Sequence, residues 1–133
     1  TGLARVHAAA DLALCVIDRD AALAGAKELI EMALAEKGCR HYAWTADPYD
    51  PGRVHVFEEW ESAEDLAAHL VAPSYSGMLA HLGPYSILNA NTRKYRCDLS
   101  EPVMGPMVRH SDIPERERIV AMANLAGKVA VVL

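Results

Sequence analysis

The chain has 133 residues, 52% of them apolar and 23% charged, which excludes a disordered tail and a low-complexity or collagen-like sequence. Its length fits a single folded domain able to bury a core without staples. Thirteen basic against eighteen acidic residues leave a net charge of −5, which argues against nucleic acid as a partner, and no apolar run is long enough to span a membrane.

Residues 8–18 carry Leu12, Leu14, Val16 and Ile17 and read as a first strand closed by charge. Asp20 then caps a predicted helix from Ala21, with Leu23, Ala26, Ile30, Ala33 and Leu34 on one stripe and Gly38 as its stop. Cys39–Ala46 reads as a second strand. The run Asp47-Pro48-Tyr49-Asp50-Pro51-Gly52 is turn chemistry, and Arg53–Trp60 completes a hairpin. In this third strand Val54, Val56, Glu58 and Trp60 share one face while His55, Phe57 and Glu59 share the other. Apolar groups on both faces call for cover on both, and a single row of helices supplies only one.

Ser62-Ala63-Glu64-Asp65 is a capping-box pattern opening a helix through Leu66, His69 and Leu70, which Pro73 ends. A short helical stretch from Ser74 to Gly83 follows, then a long strand from Tyr85 to Cys97. The order is β-α-β-β-α-β, so the expected class is α+β, a ferredoxin-like fold with an antiparallel sheet. Residues 1–98 form the expected domain. Residues 99–133 read as an extension with a linker, a helix starting near Ser111 and a terminal apolar strand at 129–133.

Three segments carry a resemblance to a known family. Glu36-Lys37-Gly38-Cys39-Arg40-His41-Tyr42, Phe57-Glu58-Glu59-Trp60-Glu61-Ser62 and Leu66-Ala67-Ala68-His69-Leu70-Val71-Ala72-Pro73 resemble, in the same order, blocks of the antibiotic biosynthesis monooxygenase superfamily, quinol monooxygenase type. The resemblance implies a dimeric α/β barrel, in which a homodimer packs sheet against sheet. It also implies oxygenation without metal or organic cofactor. Where that type commonly has a second histidine after the last block, this chain has Ser74. The haem-degrading branch is a weaker match, with His69 in place of its tryptophan and His81 at a shifted spacing for a ligand. The tail from Met122 to Val132 resembles the opening of a short-chain dehydrogenase but stops before any glycine-rich turn, so it offers no dinucleotide cradle. It is equally readable as a helix-plus-strand tail or as part of a longer gene product.

No metal-ligand spacing, nucleophile elbow or phosphate loop occurs, and flavin or nicotinamide motifs are missing. Oxygenation of a small phenolic, quinol or polyketide-like substrate by O₂ then needs a base, a site that stabilises the resulting anion, and exclusion of water. His69 is the candidate base, with Glu58 beside it to orient the ring. Trp60 can stack on an aromatic substrate, Tyr75 and Tyr85 can hydrogen-bond its oxygens, and Asn89 and Asn91 can serve as oxyanion donors. An isomerase or lyase on the same scaffold, or a dimeric ligand-binding module without catalysis, would use much of the same pocket. No signal peptide is evident, and Cys15, Cys39 and Cys97 lack paired spacing, so a reducing cytoplasm is expected.

Overall fold

A computed structural model describes residues 4–105 and 110–126. The chain divides into two compact units, one ending at Leu99 and the other starting at Ser100. The first contains β1 (Arg5–Leu14), α1 (Val16–Ala24), α2 (Lys27–Leu34), β2 (Cys39–Ala46), β3 (Arg53–Trp60), α3 (Ala63–His69), α4 (Pro73–Leu82) and β4 (Ile87–Cys97). Its four strands form one antiparallel sheet in the order β2-β3-β1-β4. This is the α+β ferredoxin-like arrangement, with β1 and β3 central and β2 and β4 at the edges.

The hairpin has the bounds its turn chemistry dictates. The Asp47 carboxylate accepts the backbone N–H groups of Tyr49 and Asp50 at 2.8 Å each, and its other oxygen lies 2.8 Å from His55 Nε2. Those bonds hold its pKa well below the usual carboxylate range. Ser62 caps α3 as predicted, accepting from the Asp65 N–H at 3.2 Å.

The first helix departs from expectation. β1 ends at Leu14 because its partner β3 begins at Arg53, and the Leu14 N–H is taken by the Gly52 carbonyl at 2.8 Å. Val16 and Ile17 therefore start α1 on its exposed side, at 58% and 85% exposure, instead of extending the strand. Asp20 lies inside α1, and the cap position is Cys15, without a side-chain bond. The predicted single helix is also broken at Gly25–Ala26. There the Ala26 N–H bonds Leu23 O, and His81 Nε2 lies 2.8 Å from the carbonyl of Ala22. A side chain at Gly25 would meet the His81 ring at 2.7 Å, which explains the glycine at this close approach.

Side chains on the helix-facing side of the sheet form two clusters. One centres on Leu12, Val54, Val56, Met78 and Leu82, the other on Val6, Ala33, Tyr42, Trp60 and Leu66. The opposite face, carrying His7, His41, Phe57 and Tyr95, has no element of this unit over it. Phe57 is 45% exposed and stacks on His7 with ring centroids 5.5 Å apart.

Gly38 links α2 to β2 with φ at +78°, and a methyl there would fall on the Asp65 side chain. Gly38→Ala is therefore expected to cost about 1–3 kcal/mol. Equilibrium urea unfolding checks this, with an unchanged midpoint as the contrary result.

In the second unit a single 3₁₀ turn at His110–Asp112 precedes α5 (Glu115–Ala126), so the helix begins later than Ser111. On this helix Ile119 and Val120 are 59% and 53% exposed. The strand predicted at 129–133 lies outside the described residues. Among the described residues, no helix is long and apolar enough to cross a membrane.

Candidate active site

The second cluster ends in polar chemistry. Trp60, the last residue of β3, is fully buried and packs on the His69 ring, with centroids 4.8 Å apart. Tyr42 and Tyr75 meet the same imidazole edge-on at 5.4 and 5.7 Å. His69 closes α3 and is 1% exposed. Its Nδ1 lies 2.8 Å from Glu36 Oε1, and Ser74 Oγ on α4 donates to Glu36 Oε2. A carboxylate only accepts, so Nδ1 carries the imidazole proton. Nε2, the other ring nitrogen, is buried with no hydrogen-bond partner among the described residues.

Glu58, two residues before Trp60 on the same strand face, is held separately. The Trp60 indole N–H donates to its Oε2 at 2.9 Å. Burial raises the Glu58 carboxyl above the usual carboxylate range, opposed by that hydrogen bond and by His69, while Glu36 adds to the rise. The Tyr42 phenol is pushed up to about 12, chiefly by burial, and so stays protonated at neutral pH.

A cleft of about 380 Å³ opens beside this cluster, between the β1–β4 side of the sheet and the helices α3 and α4. Glu58, Leu66, Leu70 and Tyr75 line it, with Ala8, Ala10, Thr92 and Lys94 on the sheet side. Its size is at the lower end of small-molecule pockets. Glu58 is its one acidic lining group.

The expected site is thus assembled in part. Glu58 and Tyr75 line the cleft and Trp60 stands behind Glu58. His69 does not line the cleft, because α3 turns Leu66 and Leu70 toward it and leaves the imidazole packed among Trp60, Tyr42 and Tyr75. Its orienting carboxylate is Glu36, not Glu58, which is committed to Trp60. Tyr85 is elsewhere, half-buried against the first cluster and edge-on to His81 at 5.5 Å. His81 Nε2 is engaged with Ala22 O at 2.8 Å, so that nitrogen is held by the backbone of α1.

Asn89 and Asn91 lie on the other side of the sheet. A register shift between Ala13 and Leu14 leaves Leu88 unpaired, so Ile87 pairs with Leu14 but Asn89 pairs with Ala13 and Asn91 with Asp11. That bulge breaks the parity with Ile87 and places both amides on the open face. Asn91 lines a separate hollow of about 230 Å³ there, with Asp11, His55 and Arg93.

Sequence reasoning missed Glu36, Tyr42, Ser74 and Lys94 as site residues. Glu36 and Tyr42 were within reach, since they open and close the first block of the resemblance. Ser74 follows directly on the third.

Residues 18–80 match the family described as antibiotic biosynthesis monooxygenase. No curated protein matches the chain in sequence. Among solved structures, a Mycobacterium tuberculosis protein is 26% identical, covering 73% of this chain and 97% of its own, with a TM-score of 0.63. A conserved Methanosarcina mazei protein is 20% identical over 73% of this chain and 96% of its own, at 0.66. An antibiotic biosynthesis monooxygenase is 20% identical over 69% and 97%, at 0.62. The matched segment contains Glu36, Glu58, Trp60 and His69, and the aligned folds reproduce the β-α-β-β-α-β unit. Over residues 18–80 the chain therefore matches the antibiotic biosynthesis monooxygenase family, within a unit that has the fold of these solved structures.

Proposed function

We propose that this domain oxidises a small phenolic, quinol or polyketide-like aromatic with O₂, without metal or organic cofactor, and that Glu58 is its catalytic base. The observation that carries the reading is a desolvated carboxylate lining a cleft whose other walls are mostly apolar or aromatic. A carboxylate whose pKa is raised by burial is a stronger base than an exposed one, which suits it to removing a proton from an acidic phenol or ring methylene. The resulting anion is electron-rich enough to pass an electron to O₂, and the two radicals then recombine at carbon. At an anthrone-type methylene, one oxygen atom ends as the ring carbonyl and the other leaves as water with the two ring hydrogens. The Tyr75 hydroxyl can donate to the substrate oxygen as charge develops there. His69 is a positioning residue, bracing the Trp60 ring whose indole N–H fixes Glu58.

The open sheet face, with Phe57, Tyr95 and His7, supports a homodimer packed sheet to sheet, which would bury these rings. The three free thiols suit a reducing cytoplasm, and burial pushes the Cys39 thiol up to about 11, away from reactivity.

Oxygen-electrode assays over a panel of naphthols, naphthoquinols and anthrones test the activity. Enzyme-dependent uptake with incorporation of one labelled oxygen atom is expected. No uptake on any of them, or turnover that persists without O₂, overturns the reading.

A further inference from the structure

The cleft does not end at Glu58. A second hollow, of about 320 Å³, adjoins it and shares Leu66, Leu70 and Lys94 with it. Its far wall adds Val6 and Ala63 from the apolar side and Arg96 from β4. The register places Lys94 opposite Ala8 and Arg96 opposite Val6, so both cations stand on the helix-facing side of the sheet, along the two hollows. Neither is in an ion pair among the described residues, although the chain as a whole is acidic. By contrast Arg5, Arg40 and Arg53 each have a carboxylate partner. Helices cover the other three strands but leave β4 exposed along nearly its whole length, so these cations remain open to an incoming ligand.

We infer that the substrate of this domain is an acidic aromatic. Its ring occupies the hollow at Glu58 and Tyr75, and an extension ending in a carboxylate runs along Leu66 and Leu70 to Lys94 and Arg96. This rests on the proposed function for the site and adds the substrate's charge and its direction. Glu58 repels an anion at the reacting end, while the cations attract it one hollow away, so the charge pattern also fixes which end enters first. An unpaired lysine and arginine beside an apolar groove suit a carboxylate through charge-assisted hydrogen bonds.

The test compares a naphthol bearing a short carboxyalkyl chain with its primary amide. Binding is read anaerobically by quenching of tryptophan fluorescence, and O₂ uptake is measured separately. The wild-type protein should bind the acid about tenfold more tightly than the amide at low salt, with the preference shrinking in 1 M NaCl. The double variant K94Q/R96Q should bring the ratio of the two affinities close to one. The single neutralisation R40Q, on the opposite edge strand, should leave the ratio as in wild type, and K94Q alone should lower it. A wild-type ratio near one, or a ratio unaltered in K94Q/R96Q, overturns the inference even if O₂ is consumed. A preference that the double variant abolishes sustains it even if no O₂ is consumed, in which case the oxygenase reading alone fails.

Discussion

Glu58→Gln should lower kcat/KM by about 10²–10⁴-fold, the contribution of a positioned general base, while leaving the protein folded. Glutamine keeps an oxygen for the Trp60 N–H and fills the same space, so the bond now made at 2.9 Å is retained. Stability should move the other way. In the native state burial raises the Glu58 carboxyl, so the folded protein binds a proton that the unfolded chain has already released. By linkage, the wild type loses stability as pH rises from the ordinary glutamate pKa of about 4.3 through the raised folded value. The variant lacks that loss. It should melt higher than wild type at pH 7–8, with the two curves converging near pH 4. The wild-type kcat/KM should rise with pH through an inflection above the ordinary glutamate range. Calorimetry across pH, together with pH–rate profiles of both proteins, decides the matter. Wild-type turnover in Glu58→Gln would remove this carboxylate from the chemistry.

Trp60→Ala should be among the most destabilising single changes in the domain, at about 3–5 kcal/mol. The side chain has no exposed surface, and its loss opens a void beside His69, Tyr42 and Leu66. For a domain of this size the melting temperature should fall by more than about 10 °C. Trp60→Phe separates packing from chemistry. It retains a ring against His69 but removes the N–H that opposes the rise of the Glu58 carboxyl. The inflection of the pH–rate profile should therefore move to higher pH, with the largest loss of activity on its acid side. An inflection that stays in place would show that the indole N–H has no hold on the base.

The parts of the fold legible in the sequence are those fixed over a few residues. The β2–β3 hairpin follows from Asp47 and the prolines and glycine around it, and α3 follows from Ser62 three residues before Asp65. What escaped is set by distant partners. The end of β1 depends on where β3 begins, since Ala13 opposite Arg53 is the last register pair between the two strands. The break at Gly25–Ala26 depends on His81, which arrives from α4. The same holds for the site. Alternation along β3 correctly placed Glu58 with Trp60, but Glu36 reaches His69 from 33 residues away. Only the left-handed turn at Gly38 and the packing of α2 bring them together. For Asn89 and Asn91, simple alternation from Ile87 fails at the bulge, where one unpaired residue moves both amides to the other face.

The bare β4 strand has a consequence for behaviour in concentrated solution. Its outer side offers backbone groups to which a strand of another molecule could add, and such edges are commonly protected by fixed charge. Arg93, Lys94 and Arg96 supply that protection by mutual repulsion between copies. Strong electrolyte, or neutralisation of these positions, should therefore favour edge-to-edge growth of the sheet into larger particles.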